Sequence, residues 1–244
     1  MTDFDEQWKK VMGEEYVRKN KGIFDFTQKR VEEFKKLTGL EDNGLDGKIC
    51  LDAGCGPGRW TYAIQQLGAK KVDSFDISSE AIKLCKKINP NAYVGNISDL
   101  KSNPTYDFVL SWGVLHHNKN VRDVFTKVSS QVKEGGMLHI MVYNKKYDHE
   151  YDSYRGDTSI EKHKEWEKLS FEEKIKICEN KVKTNGGDIH GWFDAFNPEV
   201  SLSFTPEEVK EWFKEEGFDK IKLMVKSHFN SIPTSQVNMN GIKS

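Results

Sequence analysis

The chain has 244 residues, with 37 Lys and Arg against 38 Asp and Glu, a net charge of −1. Charged types make up 31% and apolar types 36%, a globular balance in a chain long enough to bury a core without staples. The basic excess that grips phosphate backbones is missing, which argues against nucleic acid as a partner.

No apolar run approaches the roughly 20 residues of a membrane span. The N-terminus, MTDFDEQWKK, lacks the basic-then-apolar pattern of a leader. A cytoplasmic, single-domain protein is expected. Cys50, Cys55, Cys85 and Cys178 form no CxxC pair and no zinc spacing, and are expected to be reduced thiols.

Residues 5–20 and 25–40 read as two helices, the second with Phe26, Val31, Phe34 and Leu37 on one side. A turn-rich connector follows, and 48–54 is a short apolar strand running into glycines. Trp60, Ala63, Ile64 and Leu67 recur at helical spacing, and Gly68 stops that helix. Residues 71–77 read as a strand, 78–88 as a helix opened by serines, 91–96 and 106–113 as strands. Val121, Val124, Phe125, Val128 and Val132 make the face of a helix closed by Gly135 and Gly136, before a strand at 137–143. This alternation predicts an α/β fold with a mostly parallel sheet and helices on both faces.

Residues 145–203 break the rhythm. They hold no convincing strand but carry Tyr147, Tyr151, Tyr154, Trp166, Phe171, Trp192, Phe193 and Phe196. Ser170 and Glu173 form a capping box ahead of a Phe171, Ile175, Cys178, Val182 stripe, so a helical insertion is expected. Thr205-Pro206-Glu207-Glu208 opens another capped helix, 218–225 is a strand, and 236–242 offers a last one.

The stretch LDAGCGPGRW (51–60) is the most informative. A strand ends at Asp52, and Gly54, Gly56 and Gly58 precede a helix, where absent Cβ atoms permit a sharp turn and close approach of a ligand. A plain structural turn and a dinucleotide-binding turn compete with this reading. The dinucleotide pattern needs its third glycine one residue later, and Pro57 removes an N–H that a phosphate would use. Both features favour a ligand without a pyrophosphate. Asp76, about 20 residues on and at the end of the second strand, suits a pair of ribose hydroxyls. Ile77 beside it offers an apolar face to a purine. Asp73 competes, but its side chain has the opposite strand parity.

LDAGCGPG, then FDIS (75–78), YDFVLSWGVLHH (106–117) and VKEGGMLHIMVYN (132–144), resemble the ordered motifs of class I S-adenosylmethionine-dependent methyltransferases. Within that superfamily they are most similar to the small-molecule branch related to quinone biosynthesis. The resemblance implies a Rossmann-like methyltransferase fold with a seven-stranded sheet and S-adenosylmethionine as cofactor. It puts Asp52, Gly54, Cys55, Gly56 and Gly58 at the methionine portion and Asp76 and Ile77 at the ribose and purine. Asn96 and Ile97 fall at the adenine, and Ser111 and Trp112 at the cofactor's amino group. The family often has an acid where Asn96 stands. Residues 1–40 would form an N-terminal helical cap, with Tyr16 and Trp8 over the pocket, and 145–203 a lid. Arg59 is open between solvent contact and a ligand role.

Position 111 is Ser, not the Asp of metal-dependent catechol-type relatives, and no carboxylate cluster stands elsewhere, so no metal is expected. Transfer of a methyl from a sulfonium is an in-line displacement, in which the protein chiefly aligns the acceptor. An oxygen acceptor often needs a base. His116, and after it His117, are the candidates, with helix-entry or packing roles as the alternative. His139 reads as strand packing. In the insertion, His190, Trp192, Asp194 and Phe196 are candidate substrate contacts, with packing open for the aromatics. The function expected is methylation of a small-molecule acceptor, oxygen slightly favoured. RNA or protein methylation, or cofactor binding without transfer, are the alternatives.

Overall fold

The computed structural model describes residues 26–145, 160–187, 189–224 and 235–244. The helix expected over 5–20, with Trp8 and Tyr16, lies outside these residues, as do Tyr147, Tyr151 and Tyr154.

The first helix, α1 (Gln28–Thr38), buries Val31 and Phe34 and stops at Gly39, whose left-handed φ of 73° lets its N–H reach the Lys35 carbonyl. Strand β1 (Ile49–Ala53) follows, almost wholly buried. Then come α2 (Arg59–Gln66), β2 (Lys71–Asp76), α3 (Ser79–Cys85), β3 (Tyr93–Val94), β4 (Tyr106–Trp112), α4 (Val121–Ser129) and β5 (Val132–Asn144). The insertion supplies α5 (Ile160–Lys168), α6 (Phe171–Asn185) and α7 (Ile189–Phe196). Strand β6 (Ser203–Phe204), α8 (Pro206–Glu215), β7 (Phe218–Leu223) and β8 (Gln236–Lys243) complete the order. Among the described residues no helix is long and apolar enough to cross a membrane.

The sheet runs β3-β2-β1-β4-β5-β8-β7. Strands β1 to β5 are parallel, and β8 runs antiparallel between β5 and β7. The eighth strand is β6, two residues paired with the end of β5 where the sequence shows no strand signal. The chain leaves β1 toward β2 on one side and returns to β4 on the other. The carboxyl ends of β1 and β4 therefore flank the switch point, where an open α/β sheet binds its ligand.

One face carries Val31, Phe34, Trp60, Ile64 and Leu67 against Cys50, Phe108 and Leu110. The other carries Val124, Phe125, Val128, Val209 and Phe213 against Leu51, Val109, Leu138 and Ile140. Both expected capping boxes form, at Ser170 with Glu173 and at Thr205 with Glu208. Strand β5 starts five residues earlier than its apolar run suggests. Gly136 permits this: a Cβ there would meet the Lys133 carbonyl at 2.8 Å and the Tyr106 carbonyl at 3.0 Å. The register against β4 shifts between Tyr106 and Phe108. The insertion has its own small core of Trp166, Cys178, Phe193 and Phe196, which rests on Ala81 of α3.

Candidate active site

The glycine turn after β1 is held by backbone bonds. The N–H groups of Gly54 and Cys55 both donate to the Phe75 carbonyl at 2.9 Å, which ties the turn to the end of β2. The three glycines have φ of +87°, +53° and +95°, a region that favours glycine. What a Cβ would strike at Gly54 is Val114 Cγ2, at 2.2 Å, and at Gly58 it is Ile88 Cδ1, at 2.5 Å. Two of the three glycines are therefore already required by the protein's own packing.

Asp76 sits where the turn and α3 meet. Its Oδ2 accepts the Gly56 N–H at 2.8 Å and its Oδ1 the Ser78 N–H at 2.9 Å. These two backbone bonds fix the direction in which the carboxylate points. Asp73 lies on the opposite face and takes the Tyr106 hydroxyl at 3.0 Å and Lys71 at 2.8 Å. Ile77 is 38% exposed, and Val94, opposite Asp76 on β3, is exposed as well.

Asp52 lies beneath the turn, fully enclosed. The Thr61 hydroxyl donates to it at 2.6 Å, lies 3.1 Å from the Ser74 hydroxyl, and Asn89 donates to Ser74 at 3.0 Å. Burial pushes the Asp52 carboxyl up to about 7, reinforced by the Asp76 charge and opposed by the Thr61 bond and Arg59. The Arg59 guanidinium itself lies over the Trp60 ring at 4.4 Å. Cys55 Sγ is 3.8 Å from Cys85 Sγ, and that contact together with burial raises the Cys55 thiol well above its ordinary value.

Asn96 is exposed, and its side-chain oxygen caps the short turn Ile97–Asp99 by accepting the Ser98 N–H at 2.9 Å. Ile97 is buried in the core. The Ser111 hydroxyl donates to the Ala53 carbonyl at 3.2 Å, joining β4 to β1 across the switch point. Trp112 closes β4 with its ring edge-on to Trp60.

A second cluster stands beyond the end of β4. Gly113 turns the chain with a φ of +74° into the one-turn helix Leu115–His117. His116 is fully buried, its ring 4.0 Å from that of Tyr143 and 4.2 Å from that of His117. His117 Nδ1 meets the Val200 carbonyl at 2.9 Å. A carbonyl only accepts, so Nδ1 carries the proton and Nε2 is the nitrogen 3.7 Å from Asp194. The Tyr143 hydroxyl donates to the same Asp194 oxygen at 3.4 Å, and the Leu202 N–H donates to the His116 carbonyl at 2.9 Å.

The structure thus brings Asp194 to His117, 77 residues away along the chain, and to Tyr143, 51 residues away. His190 is half-buried one turn earlier on α7, on the same side of the helix. Trp192 donates its indole N–H to the Gly186 carbonyl at 2.8 Å and packs on Phe196. Phe196 is enclosed in the insertion's core, 5.4 Å from the Trp166 ring. Tyr143 escaped the sequence reading. Its one signal was an aromatic with a polar tip at the carboxyl end of a strand.

A parallel sheet with a glycine turn at its switch point and a carboxylate one strand over defines a methyltransferase domain of the S-adenosylmethionine-dependent kind. The comparisons agree: a family described as methyltransferase domain matches residues 24–223, and the chain belongs to it. The mitochondrial ubiquinone biosynthesis O-methyltransferase of Dictyostelium discoideum is 28% identical over 120 residues, 42% of this chain and 37% of that one. A tRNA U34 carboxymethyltransferase of Psychromonas ingrahamii is 33% identical over 102 residues, 38% of this chain and 31% of that one. The chain spans about a third of the length of these relatives. The magnesium protoporphyrin IX methyltransferase of Synechocystis PCC 6803 with bound S-adenosylmethionine shares the fold, with a TM-score of 0.55. That match has 15% identity over 98% of this chain and 90% of that one.

The residues fit S-adenosylmethionine. Asp76 is a carboxylate aimed by two N–H bonds at the end of β2, Ile77 is an apolar surface beside it, and the turn offers no phosphate cradle at Pro57.

Proposed function

We propose that the protein transfers a methyl group from S-adenosylmethionine to a small-molecule acceptor, with an oxygen acceptor preferred. The observation that carries this reading is the closure of the acceptor side. The insertion's end is stitched to the turn after β4 by the His117–Val200 and Leu202–His116 bonds, and to the end of β5 by the Tyr143–Asp194 bond. Such a site is roofed by protein and suits a compact molecule better than a polymer. The near-neutral charge supports the same reading.

S-adenosylmethionine would supply an electrophilic methyl on a sulfonium. In this reading Asp76 and Ile77 bind its nucleoside, the turn from Gly54 to Gly58 faces its methionine portion, and Ser111 and Trp112 end the strand beside it. The insertion, 145–203, acts as the lid and excludes water. The His116–His117 pair takes the proton that a hydroxyl must lose as it attacks. His117 can receive it only at Nε2, where Asp194 would stabilise the resulting charge.

Methylation of RNA is the second reading, favoured by the tRNA-modifying relative. Labelled cofactor offered to a small-molecule extract, to bulk tRNA and to bulk protein separates the readings. Label in the small-molecule fraction alone is expected. Label confined to tRNA would overturn the proposal.

A further inference from the structure

His139 takes part in none of the contacts above. It stands in the middle of β5, opposite Leu110 of β4 and Asn240 of β8, and is fully buried. Its Nδ1 meets Asn240 Oδ1. Asn240 donates its amide to the Thr38 carbonyl at 2.5 Å, so the atom turned to the ring is the amide oxygen, which only accepts. Nδ1 therefore carries the proton. Burial keeps the ring neutral, pushing its pKa down to about 4. The other nitrogen, Nε2, is then a lone pair, and it has no hydrogen-bond partner among the described residues.

Two positions along β8, Asn238 is 3% exposed, and its Oδ1 is a second acceptor without a partner among the described residues. Strand alternation places His139 and Met141 of β5, and Asn238 and Asn240 of β8, on one face of the sheet. That face also holds Trp112, which pairs with Met141 in register. The Trp112 ring stacks on His139 at 5.7 Å, with planes 8° apart. The indole N–H of Trp60, edge-on to Trp112 at 5.1 Å, is a buried donor likewise without a partner among the described residues.

A face built only for packing would carry Leu or Val at these positions, because a buried polar atom left unpaired costs free energy. Here two unpaired acceptors lie on the sheet face that also holds Trp112, and an unpaired donor belongs to the ring edge-on to Trp112 at the carboxyl end of β4. We propose that His139 Nε2, Asn238 Oδ1 and Trp60 Nε1 recognise the methyl acceptor, and that it is a ring compound carrying hydroxyl or N–H donors. The Trp112 ring and Met141 supply an apolar wall for the ring. A hydroxyl on that ring both donates and accepts, which matches the mixed polarity of the three atoms. This rests on the small-molecule reading above. It assigns to β5 and β8 the recognition that the histidine cluster does not perform.

The test uses the full chain saturated with S-adenosylhomocysteine and matched probes: phenol against anisole, aniline against N,N-dimethylaniline, indole against N-methylindole. Calorimetry and the ring nitrogen resonances of His139 are the readouts. The donor-bearing member of each pair should bind about 10-fold tighter, and it should shift the Nε2 resonance with Nδ1 still protonated. Asn238→Leu and His139→Phe should erase the preference while S-adenosylhomocysteine still binds. Asn238→Leu removes an orphaned acceptor and should lower the unfolding midpoint little, whereas His139→Phe also breaks the bond to Asn240 and should lower it further, so retained S-adenosylhomocysteine binding is the check that the fold survives. Equal binding within the pairs, binding of neither member, or a preference that survives both substitutions would overturn the inference. If S-adenosylhomocysteine itself fails to bind the parent protein, the cofactor reading falls instead, which separates the two failures.

Discussion

The two sides of the cleft are built by different means. On the β2 side the bonds that aim Asp76 are local, and their donors are backbone. Gly56 reaches Asp76 across 20 residues, and Ser78 reaches it across two. On the β5 side the bonds run between side chains and distant segments. They span 83 residues from His117 to Val200, 101 from His139 to Asn240 and 202 from Asn240 to Thr38. A turn made of backbone bonds tolerates little variation, which suits the β2 side to the cofactor role proposed for it. Side chains from distant segments can be exchanged singly, which suits the β5 side to the acceptor role proposed for it.

The largest expected effect tests the local side. Gly54→Ala places a Cβ against Val114 at a left-handed φ, and should destabilise the protein by about 2–5 kcal/mol. Urea unfolding measures this. A loss below about 1 kcal/mol would mean that the turn is softer than its backbone bonds suggest.

His116→Ala probes the distant side. If the acceptor is a hydroxyl, turnover should drop by about 10²–10⁴ with cofactor affinity little changed. An amine acceptor would show a smaller loss. Near-full activity on the true acceptor would remove His116 as the base and leave His117 or alignment alone.

Asp76→Ala returns to the local side. Loss of a charged acceptor should weaken S-adenosylmethionine binding about 10–150-fold in calorimetry. The Gly56 and Ser78 N–H groups also lose their partner, which places the effect toward the upper end. Unchanged affinity would refute the ribose assignment.

The smallest effect sets one buried group from each side against the other. Asp52 titrates near 7 in the folded chain and near 4 when unfolded, so the native state holds an extra proton between those values. Its contribution to stability therefore declines as pH rises from about 4 to about 7. His139 titrates near 4 folded and near 6.5 unfolded, so the unfolded state holds the extra proton and stability rises with pH across that window. The two contributions oppose each other between pH 4 and 6.5. Asp52→Asn should expose the His139 slope, a gain of up to about 1.4 kcal/mol per pH unit, and His139→Phe should expose the opposite one. Denaturant titrations at several pH values read both. Parallel profiles for the two variants would show that these groups do not govern the pH dependence.

Much of the cofactor side was legible because its residues are neighbours in sequence. Strand, glycine turn and helix follow one another within 51–66, and Asp76 is marked by its place at a strand end. The capping boxes at Ser170 and Thr205 were legible for the same reason, since each closes within four residues. The opening of β5 was not. Gly135 and Gly136 read as helix closers, whereas Gly136 instead accommodates an irregular strand start against Tyr106. Strand β6 has only two residues, too few for any periodicity to show.

The sequence by itself determined the order of the main strands and helices and the switch-point turn, because those depend on periodicity, capping and glycine conformations along a continuous segment. Only the tertiary structure decided that Asp194 meets His117 and Tyr143, and that Phe196 belongs to the insertion's own core. Only it turned His139 from a packing residue into a neutral acceptor, because the proton's position is set by an amide of β8 that in turn answers to Thr38 of α1. In a strand, alternation reports which face a side chain takes. What it meets there depends on which strands lie beside it, and β8 comes to lie beside β5 only when the last strand folds back into the sheet.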